Sequence, residues 1–181
     1  MKKTVLIYLL LCSTVLTVKA QWGTFNPEVT ILKTSDGHQY KWVEFSHSVW
    51  LYRTTTWPVE TVLTYKDGTS LPKTLYWDLP KMIEDPYSKD SFIENSFKEI
   101  FTAKEWDILV DEKIYLSIYI STDTGEVIGL RIRFTTFNDS IRSIPVDKFS
   151  RFEDKMKTLK FTLTPEGKNY SWTSFVWYAD R

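Results

Sequence analysis

An α+β fold, with an antiparallel sheet and two to three helices packed on one side of it, is what the sequence predicts, and three patterns carry that prediction. Ile114, Leu116, Ile118 and Ile120 alternate with Tyr115, Ser117, Tyr119 and Ser121; after a turn at Asp123-Thr124-Gly125, Ile128, Leu130, Ile132 and Phe134 alternate with Gly129, Arg131, Arg133 and Thr135. Period-two alternation on both arms of a turn describes a hairpin with one buried and one wetter face. Val146, Phe149, Phe152, Met156 and Leu159 recur three and four residues apart, which places them on one side of a helix. The C-terminal part therefore reads β-β-α-β, and with a helix ahead of the hairpin this order lets helices cover one side of the sheet.

The elements follow in chain order. Lys2 and Lys3 precede a largely apolar run from Thr4 to Val18, and Val18-Lys19-Ala20 places a small residue before Gln21. This is the pattern of a secretory signal peptide over residues 1–20, so the expected mature chain begins near Gln21 and is exported, periplasmic or extracellular. Cys12 lies in that leader and offers lipid anchoring as the alternative. Cleavage after Ala20 instead removes the only cysteine and leaves no disulfide, thiol nucleophile or thiolate ligand. No later segment reaches the roughly 18 consecutive apolar residues of a membrane-spanning helix, so no transmembrane segment is expected in the mature chain.

Residues 21–80 read as a β-rich half. Val29 and Ile31 form one apolar stretch and Tyr40 to Phe45 another, with Ser35-Asp36-Gly37 as the turn between them. Val59 to Tyr65 and Leu71 to Trp77 predict a second hairpin about Lys66-Asp67-Gly68, where Pro72 argues for an edge position. Asp78 to Asp90, broken by Pro80 and Pro86, is a connector. Residues 90–181 then read as helix, hairpin, helix, strand. Ser91 and Glu94 have capping-box form before the stripe Phe92, Ile93, Phe97, Ile100 and Phe101, and Thr102 with Glu105 repeats the signal, predicting a bend into a second short helix with Trp106 and Leu109. Pro145 and Asp147 suit the start of the helix from Val146, whose opposite face (Lys148, Arg151, Asp154, Lys155, Lys157) is expected in water. Trp172 to Tyr178 is the closing strand.

Removing 20 of the 181 residues leaves 161, enough for one globular domain over 21–181 with its own core. Without Lys2, Lys3 and Lys19 the chain has 20 basic against 23 acidic residues, a charge of −3 with both signs scattered, which does not favour nucleic acid as a partner.

The stretch from Ile114 to Tyr178, with its turn at Asp123-Thr124-Gly125, the helix from Val146 and the strand at Trp172, resembles the C-terminal module of periplasmic TonB-type proteins over about 65 residues. That resemblance implies pairing with a partner peptide along an exposed strand edge. The whole chain, with its lysine-led leader and Trp- and Tyr-rich body, resembles small exported proteins of gut Bacteroidales, which implies a location and no site residues.

Several chemistries lack their residue patterns. There is no Gly-x-Ser-x-Gly elbow and no phosphate-binding glycine loop, so no cofactor is expected. A zinc site would need both histidines, His38 and His47, together with a carboxylate, so the expected roles are a turn residue and a polar strand neighbour, with no metal. The leading reading is a non-catalytic exported binding or interaction domain for a glycan, a peptide or an envelope protein. It rests on the aromatics of the β-rich half, with Trp57, Trp50, Tyr52, Trp42 and Trp77 as the candidate ligand-binding residues and Trp57, beside Pro58, preferred as exposed. One alternative is a small carboxylate-dependent envelope or polysaccharide hydrolase built on Asp107, Asp111 and Glu112. The other is a structural subunit that pairs through a strand edge.

Overall fold

The computed structural model describes residues 27–55, 63–70, 82–135 and 139–179. Six antiparallel strands form one sheet in the order β1-β2-β3-β5-β4-β6: β1 (Glu28–Lys33), β2 (Gln39–Phe45), β3 (Ser48–Arg53), β4 (Ile114–Ile120), β5 (Val127–Phe134) and β6 (Thr173–Tyr178). The helices are α1 (Asp90–Ile100), α2 (Ala103–Asp111), the single turn α3 (Asp139–Arg142) and α4 (Val146–Met156). The α+β class and the C-terminal β-β-α-β order are those the sequence predicts. β3 pairs with β5, so the two β-rich halves share one sheet. The leader, Cys12, Trp57, Trp77 and Pro72 lie outside the described residues.

Local chemistry explains the connections. Gly37 takes the left-handed backbone (φ 89°) in the turn between β1 and β2. The strand over Ser48–Arg53 is not among those read from the sequence, because its turn, Ser46-His47, contains neither glycine nor asparagine. The turn at Lys66-Asp67-Gly68 forms as expected, bridged by Thr64 and Ser70; the arms over 59–62 and 71–77 lie outside the described residues. Gly125 (φ 74°) is needed twice over, since any Cβ there would also run into the Phe161 carbonyl oxygen.

Thr102 caps α2 in a full capping box with Glu105, as predicted. The box expected at Ser91 and Glu94 does not form. A 3-10 turn, Pro86–Lys89, runs straight into α1, so the helix starts at Asp90 without a side-chain cap and Ser91 is already inside it. Glu94 pairs with Lys98 instead (2.5 Å).

The helices cover one side of the sheet. There Leu51 pairs with Ile132, Leu116 lies between Ile132 and Trp177, and Ile118 lies between Leu130 and Phe175. Phe97 of α1 stacks on Phe152 of α4 (4.0 Å) and on Trp177 (5.6 Å), while Phe149 meets Phe134 edge-on. Each such buried side chain contributes about 1.5–3 kcal/mol.

This core also holds a buried charge cluster that the sequence did not reveal. Tyr40 Oη donates to Glu153 Oε2 (2.7 Å), and Arg53 Nη2 donates to Ser150 (2.9 Å) and Asp154 (2.8 Å). Arg53 Nε lies 3.5 Å from Glu153, and Lys157 reaches the other Glu153 oxygen at 3.1 Å. Burial would lower the Arg53 pKa, but Glu153, Tyr40 and Asp154 together outweigh it and the guanidinium is held charged.

Candidate functional site

Alternate residues of the same strands face away from the helices, and cross-strand pairing sets them in rows. One row runs Val29, Val43, Trp50, Arg133, Tyr115, Tyr178 from β1 to β6. Beside it lie Ile31, Lys41 and Tyr52 on the first three strands, and Arg131, Ser117 and Val176 on the last three. The Arg131 guanidinium stacks 4.4 Å from the Trp50 ring centre, and Arg133 lies 5.5 Å from that of Tyr115. Tyr115 packs on Tyr178 at 5.8 Å, and Tyr119 on Trp172 at 5.2 Å. These contacts are cation–π and tilted aromatic pairs, each contributing of order 0.5–1.5 kcal/mol.

The face is closed at its centre and open at its flanks. Val43, Tyr52, Ser117 and Tyr119 are buried, whereas Val29 and Ile31 on β1 and Val176 and Tyr178 on β6 are about half exposed. Burial raises the pKa of Tyr52 and of Tyr119 despite the nearby Arg131, so both phenols stay protonated at neutral pH. Among the described residues, the buried donors Trp50 Nε1 and Trp172 Nε1 have no acceptor.

At the β6 flank, Tyr115 and Tyr178 wall a groove of about 450 Å³ that Val110, Asp111, Lys113 and Ala179 complete. Lys113, just past α2, takes the left-handed backbone (φ 49°) that favours glycine, fixed by its amide donating to the Val110 carbonyl (3.0 Å). The arrangement offers two ring faces, a phenol on each, an ammonium, a guanidinium alongside and one carboxylate.

Of the residues singled out from sequence, Trp50 and Tyr52 stand together on this face. Trp42 is on the other side of the sheet, buried, its Nε1 donating to Glu44 (2.6 Å), and it lines a smaller apolar pocket of about 140 Å³ with Leu51, Ile144 and Phe149. Trp57 and Trp77 lie outside the described residues. The sequence reading did not single out Tyr115, Tyr178, Lys113 or Arg133. Their signal was present in the wetter face of the central hairpin, where tyrosine and arginine occupy the alternate positions.

Asp107 and Asp111 lie one turn apart on the exposed side of α2, and Glu112, just beyond, is buried. His38 and His47 flank the two ends of β2, seven residues long, so they sit roughly 25 Å apart and cannot share an ion. Asp36, His38 and Asp154 do converge, with ligand atoms within 4.8 Å of one another. Packing of the first turn on α4 accounts for them: Asp36 accepts from Thr34, Asp154 from Arg53, and Asp147 from Ser35.

Residues 28–177 match the family described as "Domain of unknown function (DUF5043)". A crystal structure of a DUF5043 family protein from Bacteroides uniformis ATCC 8492 is similar to this chain, with a TM-score of 0.69 and 22% identity over 84% of this chain and 85% of that one. At that identity the likeness is one of fold. No curated protein matches the chain.

Proposed function

The chain belongs to the DUF5043 family, whose description names no activity, and from the open face of its sheet we propose that it is a non-catalytic, exported domain that binds a glycan. The observation that carries this reading is the Tyr115–Tyr178 shelf. Two adjoining rings, one half-buried and one exposed, present apolar faces on which a pyranose can lie, and Lys113, Asp111 and Arg133 surround them with groups that bond sugar hydroxyls. The groove volume of about 450 Å³ suits one or two sugar rings. The non-catalytic part rests on its lining, which contains a single carboxylate, Asp111, where glycoside hydrolysis commonly uses a pair about 5–10 Å apart.

Export rests on the leader pattern at residues 1–20 and is tested by fractionating cells that express the full chain. Accumulation of uncleaved protein in the cytoplasm would count against it. Binding is tested by titrating the mature chain with a panel of plant, host and bacterial oligosaccharides by NMR. Resonance shifts confined to the β4–β6 flank, lost in Tyr178→Ala, are expected; no shift with any sugar would refute the reading.

A second reading, strand addition by a peptide, draws on a separate observation. Both edge strands carry exposed apolar pairs, Val29 with Ile31 and Val176 with Tyr178, which is the flank chemistry of an edge that accepts another strand. Peptide-induced shifts along β1 would favour it.

A further inference from the structure

The sheet divides its charges as unevenly as its side chains, and this bears on which sugar the open face takes, an inference that rests on the glycan reading above. Over the whole chain 23 Lys and Arg balance 23 Asp and Glu. Among the described strand residues that face away from the helices, however, the charged ones are Lys33, Lys41, Arg131 and Arg133, all basic, while Glu28 and Glu44 point to the helix side. Arg133 and Lys113, the cations flanking the tyrosine shelf, make no ion pair and no side-chain hydrogen bond among the described residues. Four other cations among the described residues are held by carboxylates: Arg142 by Glu44, Lys148 by Glu105, Lys155 by Glu99 and Lys66 by Asp123. Asp111, the one carboxylate lining the groove, already has an interaction partner.

We propose that the open face selects anionic sugars, with Lys113 and Arg133 reading the carboxylate or sulfate while the tyrosine pair carries the ring. The Arg133 guanidinium is held over the Tyr115 ring with its donor edges unengaged by the described residues, and guanidinium donors match the two oxygens of a carboxylate or sulfate. Lys113 supplies a point charge from a backbone position that its turn fixes. A neutral sugar would leave both cations unpaired, whereas an anionic one converts them into charge-assisted hydrogen bonds.

The experiment compares matched probes by calorimetry on the mature chain: one oligogalacturonide as free acid and as methyl ester, and one cello-oligosaccharide with and without sulfate. At least one anionic member is expected to bind about tenfold or more tighter than its neutral partner at low salt, the gap narrowing at about 0.5 M salt as exposed charges are screened. Lys113→Gln with Arg133→Gln should bring the ratio near one, the anionic member losing far more affinity than the neutral one. Equal binding of charged and neutral members overturns the inference and leaves the glycan reading standing. Loss of all sugar binding from the wild type overturns both. An unchanged acid preference in the double variant removes these two residues from the role, and tighter binding of an oligo-dT strand than of any sugar replaces the glycan by nucleic acid.

Discussion

The two faces of the sheet are made by the same strands, residue by residue, and they differ in nearly every property. Toward the helices point Leu51, Ile132, Leu116 and Trp177, buried and aliphatic or aromatic, with one charge cluster fully engaged at Tyr40, Arg53 and Glu153. Away from them point Trp50, Arg133, Tyr115 and Tyr178, whose rings are interleaved with guanidinium groups and grow more exposed toward β6. A period-two backbone allows this division because a substitution on one face leaves the other's side chains in place. The helix side holds the main core, and the other side is exposed chiefly at its β1 and β6 flanks.

Breaking the helix side should have the largest effect. Arg53→Ala removes the guanidinium from the buried Glu153, and about 3–5 kcal/mol of stability should be lost in chemical denaturation. Leu116→Ala opens a cavity between β5, β6 and the helices, with an expected loss of about 2–5 kcal/mol. A loss below about 1 kcal/mol for Leu116→Ala would show that this side is looser than its contacts indicate.

Tyr178→Ala sharpens the contrast from the other direction. Its ring is half exposed at a sheet edge, so stability should move by only about 0.5–1 kcal/mol while sugar binding is lost. If stability fell as far as for Leu116→Ala, the two faces would not be the separate systems described above.

The smallest effect concerns acid. Burial pushes the Glu105 carboxyl up, but hydrogen bonds from Lys148 and Thr102, with the Lys148 charge, bring it below the usual carboxylate value. The folded state thus binds this proton less readily than the unfolded chain. Its contribution is complete above the unfolded carboxylate value and disappears as pH falls below about 5 through the lowered folded value. Thermal melts of wild type and Glu105→Gln should accordingly converge toward low pH; curves that remain parallel would exclude this pair as a source of acid sensitivity.

The legible parts of the sequence were those in which one period dominates. The hairpin of β4 and β5 and the helix from Val146 declare themselves because every second, or every third and fourth, residue is apolar. The capping box at Thr102 was readable because both partners are local. Ser91 had the same letters and no box, since the upstream turn at Pro86–Lys89 decides where the helix begins. Charges at Arg53 and Glu153, a hundred residues apart, carry no local signal of their meeting. The tyrosine groove was not singled out from the sequence: of the aromatics that were, Trp50 and Tyr52 are on the same face as it, but Trp42, one register position from each of them, turns to the core because its strand parity is opposite to theirs. Aromatic content marks candidates, and only register tells which side they serve.

The pairing of β3 with β5 has a consequence for how the molecule assembles. β1, β2 and β3 are neighbours in sequence and can zip as a meander, whereas Val49–Leu51 must find Ile132–Phe134, roughly eighty residues further along, against the entropy of closing that loop. That short seam joins two locally formed pieces into one sheet. Forming it belongs to the slow, non-local part of folding, and until it closes, β3 and β5 each present a bare strand edge to other chains.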